Sequence, residues 1–498
     1  MNLKGKSLIA AAVAAALGSG AAVALPPTST PAFVLYAAGG SAQANAFSVA
    51  ANTILSSPDS YSDSTSACTD SGSYRVWFGA TTAAIGTITA GTNILLLYKF
   101  NGGSFVNGVN PQTAAGATLA YPQTSAILST LTTSQSCTNA GAPKYFYSDS
   151  GQLTNNQQPD WGVSDVEVPL FQGINNPGTA PSGTCATNVT NANCNGGPAP
   201  TVGAADGIYD NLFGIAVTHN VYTSTSHPKT NFSRAEMAGI IRGTISDWSQ
   251  LYDDNGSQMA AGGIIFLDRG PGSGTKASGN QYFLGYPGSG SSAQLPHSAT
   301  KGYTGTSLAD SQTYQDVNES STTNVINDLI NAFNDGLQAV AVLGLENPPA
   351  LHQGTCGSNC YDFTKINGVA VDTQGASDNI NGTVATSYIN VVTGAYDFFY
   401  QNSFNTRSGV IGGSTPGDLV AAQVEATMQA AGFVGANSSK SFPAAVNGTL
   451  QDADKLSAAT KGGTLPTRNK VSPAPLLPKF DASTIAGPLS TVTGSDPL

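Results

Sequence analysis

Charged residues and histidines are scarce in this sequence. Lys and Arg number 19 and Asp and Glu 30, so charged residues form 10% of the 498-residue chain, against about 25% in an ordinary soluble protein. So few basic residues, spread along the whole chain, exclude a general nucleic-acid or anionic-membrane binder, because such binding needs a concentrated positive field. Any anion site must therefore be built from local groups. The histidines lie far apart, without the spacing of metal ligands or of a catalytic pair: His219, His227, His297 and His352.

Glycine and proline are abundant, with 57 and 27 residues, but they follow no fixed period, which excludes a collagen-like helix. Hydrophobic residues form 40% of the chain, which is enough to fill a core and excludes a wholly disordered protein. The length predicts about two to four domains at roughly 150 residues each.

The first 24 residues have the pattern of a secretory signal peptide. Lys4 and Lys6 form a short positive start, an Ala-rich apolar run follows, and the run ends at Ala24 in a small-x-small site. Cleavage is expected after Ala24, which predicts a periplasmic or secreted protein. A permanent membrane anchor is the alternative, and the Gly and Ser residues at 18–20 make the run weakly hydrophobic for that role. No membrane span is expected in the mature chain.

Six cysteines are candidates for disulfide bonds, which suits an exported protein: Cys68, Cys137, Cys185, Cys194, Cys356 and Cys360. Closeness along the chain suggests that Cys185 pairs with Cys194 and Cys356 with Cys360, which leaves Cys68 for Cys137. A zinc site is the weaker interpretation, because the spacings are not those of a zinc set and His352 is the one histidine nearby.

Apolar runs of strand length alternate with helix-like stretches along the chain. Examples are the strand-like runs 93–100 and 263–267 and the helix-like stretch 233–242, which starts with a capping box from Ser233 to Glu236. Strands that are apolar throughout, alternating with helices, predict an α/β fold with mostly parallel sheets covered on both faces. Stretches rich in Ser, Thr, Asn and Gly interrupt the pattern and are interpreted as surface insertions: 56–75, 110–135, 174–207, 286–324 and 350–385.

The segment 263–285 has the local pattern of an anion site. A strand leads into Arg269, a Gly/Ser-rich turn follows over 270–275, and the next residues can form a helix. Such a turn leaves several backbone N–H groups pointing at one place, where the helix dipole adds partial positive charge. Ser273 and Thr275 add hydroxyl donors, and Arg269 adds a planar fork that matches two oxygens of a tetrahedral anion. The alternative is an ordinary flexible turn.

Other motifs do not fit this segment. A P-loop requires Gly-Lys before a Ser or Thr, but Lys276 follows Thr275 here. The dinucleotide fingerprint requires G-x-G-x-x-G, whereas residues 270–274 read G-x-G-x-G, and no nucleophile elbow G-x-S-x-G is present there. The sequence therefore favours binding over catalysis, with no metal or cofactor.

The pattern strand-Arg-x-x-x-Ser-Gly-Thr at 269–275 resembles the R-x-x-G-S-G-T signature of periplasmic phosphate-binding proteins, the solute receptors of phosphate uptake transporters. Further segments are similar to that family in the same order along the chain: 161–170 (WGVSDVEVPL), 212–220, 231–251 (NFSRAEMAGIIRGTISDWSQL), 337–346 (LQAVAVLGLE), 365–369 (KINGV) and 394–400 (GAYDFFY). The resemblance covers about half of the chain, broken by insertions.

The resemblance implies a set of ligand contacts. Arg269, Ser273, Gly274 and Thr275 would contact the anion, and Asp165 would match the acidic residue of the family's site. Hydrogen phosphate can donate its proton to a carboxylate, whereas sulfate has no proton to give and is repelled, so an acid in the site selects phosphate. The match for the family's Gly-Ser-Gly-rich turn is Ser104.

The first turn departs from the family pattern. The family has G-A-G-A-T-F-P after its first strand, and this chain has Ala-Gly-Gly-Ser-Ala-Gln at 38–43. The Gly-rich turn persists, so Ser41 and neighbouring N–H groups could face a ligand, but the Thr-Phe pair is absent. This departure leaves an anion or another small polar ligand as the expectation, while the resemblance as a whole implies phosphate or a similar oxyanion.

The resemblance also implies the architecture: a two-lobed α/β fold of the type II periplasmic solute-binding class, with mixed sheets flanked by helices. Lobe one would comprise 31–215 and 345–440, and lobe two 216–344, followed by a low-complexity tail at 455–498. Ligand would bind between the lobes and pass to an ABC transporter permease, without chemical turnover. Two alternatives remain, a secreted or surface protein that reuses the fold for adhesion or assembly, and, less favoured, an exported phosphoester hydrolase.

Overall fold

The computed structural model describes residues 30–62, 73–122, 131–134, 145–147, 155–177, 200–287, 314–347, 349, 356, 359–370, 390, 395–407, 413–429, 449–451, 467–468 and 478–479. The predicted signal peptide, most of the predicted tail, and Cys68, Cys137, Cys185 and Cys194 lie outside these residues.

Strands and helices alternate through the described residues. The strands β1 to β20 are Phe33–Gly39, Leu55–Ser62, Tyr74–Thr81, Asn93–Lys99, Leu119–Tyr121, Leu131–Ser134, Tyr145–Tyr147, Asn155–Gln157, Trp161–Ser164, Ala204–Thr218, Asn231–Phe232, Ile265–Arg269, Gln315–Glu319, Ala339–Gly344, Tyr361–Phe363, Lys365–Ile366, Phe399–Thr406, Thr449–Gln451, Thr467–Arg468 and Pro478–Lys479. The helices α1 to α6 are Ala44–Ile54, His219–Tyr222, Arg234–Ile241, Gly274–Leu284, Thr322–Asn334 and Pro416–Gln429.

One mixed sheet of 14 strands dominates the fold, in the order β13-β12-β14-β10-β17-β9-β1-β4-β3-β2-β7-β6, with β15 and β18 also pairing with β10. Two groups within it are parallel: β1 with β4 and β9, and β12 with β13 and β14. Most of the other strand pairs are antiparallel, including β10 with β14 and β17, while β2 pairs with β7 in parallel. The predicted mixed α/β fold with flanking helices is confirmed, but the expectation of mostly parallel sheets was wrong, because chain-reversing strands join the two groups.

Two main hydrophobic cores form on this sheet. Helices α3, α4 and α5 pack beside β12 and β14, whose residues are all buried, as expected for strands covered on both faces. Helices α1 and α6 pack against each other over the β1 group and close the second core. The division into lobes at residues 215 and 345 stays a prediction.

Strand β10 takes part in both cores. Its 15 residues include Ile208 and Tyr209 in the core beside α1, and Leu212 and Phe213 in the core beside α5. Strand β17 pairs with it antiparallel and contributes to both cores in the same way. The sequence predicted only the apolar end of β10, because its first half is polar and is held in the sheet by pairing.

Several stretches interpreted as surface insertions contain sheet strands, which corrects that prediction. Strands β2, β5, β6, β13, β15 and β16 all lie at least partly within them. Strand β13 reads QDVNE and lacks an apolar pattern, yet it pairs in parallel with β12 along its full length. Neighbouring strands rather than local hydrophobicity therefore determine its structure.

Two predictions from short stretches of sequence are confirmed, the capping box and one disulfide bond. The predicted capping box is present at the start of α3: Ser233 Oγ accepts from the Glu236 backbone N at 3.1 Å, and Glu236 Oε2 accepts from the Ser233 N at 2.7 Å. Cys356 and Cys360 form the suggested disulfide, with Cα atoms 5.6 Å apart. In the described part of the chain, no helix combines the length and hydrophobicity that a bilayer crossing needs.

Candidate functional site

The two parallel strand groups end at one shared cavity. Its wall comes from the segments that follow β1, β4 and β9 on one side, and those that follow β12, β13 and β14 on the other. The cavity has a volume of about 300 Å³. The carboxyl ends of parallel strands are the usual place for ligands in open α/β sheets, because the loops there are free to vary.

All seven residues predicted to contact a ligand line this cavity: Ser41, Ser104, Asp165, Arg269, Ser273, Gly274 and Thr275. They come from segments far apart in the sequence, and the strand order brings them together. Ser41 is exposed at its rim, whereas Ser104 is buried at its base.

The turn after β12 forms the predicted strand-turn-helix. Gly272 has a φ of 89°, a conformation that favours glycine, and it redirects the chain into α4. Its N–H donates to the Asn175 carbonyl at 2.8 Å, and its carbonyl accepts from the Phe105 N–H at 2.9 Å, so residues outside the turn hold it in place. Helix α4 begins at Gly274, and Ser273 is its N-cap, accepting from the Lys276 N–H.

Two residues at the start of α4, Gly274 and Thr275, line the cavity. Gly274 and Thr275 occupy the first turn, where backbone N–H groups lack a carbonyl partner within the helix. The helix dipole concentrates partial positive charge at this end. The first turn of α4 can therefore donate hydrogen bonds to the oxygens of an anion, with the Thr275 hydroxyl beside them.

Among the described residues, Arg269 is the one basic residue that lines the cavity, and 8% of it is exposed. One terminal nitrogen donates to Thr322 Oγ1, and the other donates to the Ser320 carbonyl at 3.4 Å. Its Nε has no acceptor among the described residues. Burial lowers the pKa of Arg269, while the charge of Asp165 opposes this shift. Since arginine stays protonated in proteins, the cavity holds one fixed cation.

Asp165 follows β9 and faces Arg269 from the opposite wall. It is 8% exposed, and its Oδ1 has no hydrogen-bond donor among the described residues. Burial raises the pKa of Asp165, while the polar side chains of Ser104 and Gln43 and the charge of Arg269 act against the increase. The chain is packed closely here, since a Cβ on Gly40 would lie 2.1 Å from Asp165 Oδ1.

Sequence reasoning missed the start of α5. Residues Ser320 to Asn324 line the cavity, and the Ser321 side chain caps the helix by accepting from the Asn324 N–H at 3.1 Å. The missed signal was the N-cap pattern Ser-Thr-Thr-Asn directly before an apolar helix. A second helix N-terminus therefore faces the same space as α4.

Glu346 was also missed. It lies two residues beyond β14 and lines the cavity, although its segment was recognised as similar to the phosphate-binding family. Its Oε2 is shielded from solvent and has no donor among the described residues. Burial raises the pKa of Glu346 to about 7, and the charge of Asp165 adds to the increase.

A larger cavity of about 620 Å³ lies at the opposite end of the strands, beside the residues where β1 and α6 begin. Its cation, Arg407, donates to Gln158 Oε1 and to the Pro159 carbonyl. The start of α6 and Arg407 line this larger cavity, but none of the seven predicted ligand residues does, so the smaller cavity is the better candidate site.

A scan against models of known protein families finds no match, and a search of curated proteins finds none. Among solved structures, the chain is similar to an ABC-type phosphate transport receptor from Vibrio cholerae, at 15% identity and a TM-score of 0.23, over 41% of this chain. This chain spans 60% of the length of that receptor.

A second similar structure is PfluDING, a high affinity periplasmic phosphate-binding protein bound with phosphate, at 12% identity and a TM-score of 0.31. The match covers 75% of this chain and 80% of that one. Both likenesses are weak in sequence and in superposition, so the ligand class has to be inferred from the cavity itself.

Proposed function

We propose that this protein is an exported solute-binding protein that captures phosphate or a similar small oxyanion in the cavity at Arg269. The observation that carries the proposal is the convergence of one buried guanidinium with the first turn of α4. Charge-assisted bonds from a planar guanidinium, together with free amides and hydroxyls, match a tetrahedral anion.

Asp165 supports a protonated oxyanion in particular. Its carboxyl group lines the cavity, so a ligand that brings its own O–H can donate to this carboxylate. Hydrogen phosphate has such a proton, whereas sulfate does not at neutral pH. The same carboxylate that accepts from phosphate would thus repel sulfate, and no bond in the ligand is broken.

Binding would draw the two sides of the cavity together. Asp165 and Ser104 lie on one side, and Arg269 and the first turns of α4 and α5 lie on the other. An anion that contacts both sides stabilises the closed arrangement by the contacts it makes only there. In this proposal, lobe one (31–215 and 345–440) closes on lobe two (216–344), and the ligand is delivered to an ABC transporter permease.

Calorimetric titration of the purified protein with inorganic phosphate tests the proposal, with sulfate as the ligand control. We expect phosphate to bind and sulfate to bind at least about tenfold more weakly. Arg269→Ala should abolish the binding heat, because the cavity loses its one cation. Arg242→Ala is the matched control, since Arg242 lies at the end of α3 and does not line the cavity.

Phosphate binding by Arg269→Ala with unchanged affinity would contradict the assignment of the site. If neither oxyanion binds the natural protein, the receptor function fails, and a surface role in adhesion or assembly becomes the favoured function. Measuring the melting temperature of each variant separates lost binding from lost folding.

A further inference from the structure

The charges in the cavity do not favour an anion when every acid is ionised. The cavity-lining residues include one cation, Arg269, and two carboxylic acids, Asp165 and Glu346. With both acids ionised, these three groups together carry a net charge of one negative unit. A second anion entering this shielded space would be repelled unless a proton enters as well.

The carboxyl group of Glu346 lies against the backbone two residues before it in the chain. A Cβ on Gly344 would lie 2.0 Å from Glu346 Oε2, so the preceding backbone presses against the carboxyl group. The same oxygen is shielded from solvent and has no donor among the described residues. A buried carboxylate oxygen without a donor is costly, whereas a protonated carboxyl group is tolerated in such a place.

The groups that face Glu346 come from four elements. Asp165 follows β9, Arg269 ends β12, Tyr209 lies in β10 and Tyr361 lies in β15. Of these, Asp165 disfavours the ionised form of Glu346, and Arg269 favours it. Burial is the largest effect and raises the pKa of Glu346 to about 7.

We propose that Glu346 is a specificity-determining residue whose carboxyl group must be protonated for the cavity to accept an oxyanion. In the ionised state, Glu346 competes with the ligand for the positive charge of Arg269. In the protonated state, it leaves that charge to the ligand, and the proton comes from solvent. Asp165 has the separate task of accepting the ligand's own proton. This inference rests on the proposed function of the same cavity.

The test compares the natural protein with Glu346→Gln, which imitates the protonated side chain. Dissociation constants for inorganic phosphate are measured by calorimetry from about pH 5.5 to about pH 8.5. Both proteins meet the same mixture of phosphate ions at each pH, so the ratio of their dissociation constants removes the titration of the ligand. That ratio isolates the contribution of Glu346.

We expect the ratio of the natural dissociation constant to that of Glu346→Gln to be near one at low pH. Above pH 7 it should rise by about tenfold per pH unit, as the competing carboxylate forms. Asp160→Asn, which changes an acid outside this cavity, is the control and should show the same pH dependence as the natural protein. Tighter binding by Glu346→Gln at high pH supports the inference.

A ratio that stays constant with pH, in proteins that bind phosphate, would overturn this inference and leave the proposed function standing. Absence of phosphate binding by both proteins at every pH would overturn both. Melting temperatures without ligand give a second readout: stability of the natural protein relative to Glu346→Gln should fall between about pH 5 and pH 8, because the raised pKa makes the folded state bind more protons. Equal melting curves across that range would also overturn the inference.

Discussion

Gly274, the first residue of α4, lies directly against Asp165. A Cβ on Gly274 would be 2.6 Å from the Cβ of Asp165 and 2.8 Å from its Oδ2, closer than real Cβ contacts occur. The absence of a side chain at Gly274 therefore allows the helix N-terminus and the carboxyl group to face one ligand. The hydrogen-bond donors of the first turn of α4 and the acceptor oxygens of Asp165 therefore lie side by side at this contact.

Gly274→Ala should impair binding by separating these two groups. Alanine favours a helix by up to about 1 kcal/mol, but the overlap with Asp165 should cost about 1–3 kcal/mol. We expect phosphate affinity to fall by at least about tenfold, measured by calorimetry, with a lower melting temperature.

Gly279→Ala in the same helix is the matched control. Its new Cβ would lie 3.4 Å from Val342 Cγ2, which is ordinary contact. This variant should keep its phosphate affinity and gain up to about 1 kcal/mol of stability. Equal affinities of the two variants would show that the contact with Asp165 does not position the site.

Thr322→Val should loosen the guanidinium of Arg269. The substitution keeps the shape of the side chain but removes the oxygen that accepts from Arg269. We expect a loss of about 1 kcal/mol in stability and a several-fold loss in phosphate affinity. Thr323→Val is the control, because Thr323 lies in the same turn and neither terminal nitrogen of Arg269 donates to it. A similar affinity loss in both variants would argue against an anchoring role.

Asp165→Asn should reduce the discrimination between phosphate and sulfate. The amide no longer repels an unprotonated oxyanion, so sulfate affinity should rise by about tenfold or more while phosphate affinity falls. Competition calorimetry measures both. Asp160→Asn is the control. Asp160 is another largely buried acid, but it lies outside this cavity, where its Oδ2 accepts from the Tyr36 N–H at 2.9 Å. This variant should leave the ratio of phosphate affinity to sulfate affinity unchanged. An unchanged ratio in Asp165→Asn would remove Asp165 from the selective contact.

Asp328 in α5 should make stability depend on pH. Burial and the neighbouring Glu319 raise the pKa of Asp328. The folded state then binds more protons than the unfolded state, so the free energy of unfolding falls as the pH rises from the usual aspartate range through the raised pKa. Urea denaturation at about pH 5 and about pH 8.5 should show Asp328→Asn gaining about 1–3 kcal/mol relative to the natural protein at the higher pH only. A difference independent of pH would contradict the shift.

The parts of the site that the sequence predicted are local in the chain. The turn from Arg269 to Thr275 carries its own signals, namely an apolar strand before it, glycines within it and a capping serine at its end. Such signals act over a few residues, so they can be recognised without knowing the rest of the fold.

The parts that were missed depend on strand order. Thr322 reaches Arg269 because β13 pairs beside β12, and Glu346 reaches the cavity because β14 pairs on the other side. Neither pairing can be recognised from the residues of β13 (QDVNE) or those around it. The long-range contacts of a sheet decide which segments become neighbours.

Strands β10 and β17 cross from one hydrophobic core into the other, and β10 has a bulge between Gly207 and Asp210. The two cores are thus connected by two hydrogen-bonded strands rather than by a flexible linker alone. Widening the cavity would bend this pair of strands, and the bulge already bends β10 and increases its local twist. If the cavity binds an anion as proposed, the stiffness of these paired strands would govern how fast that anion escapes.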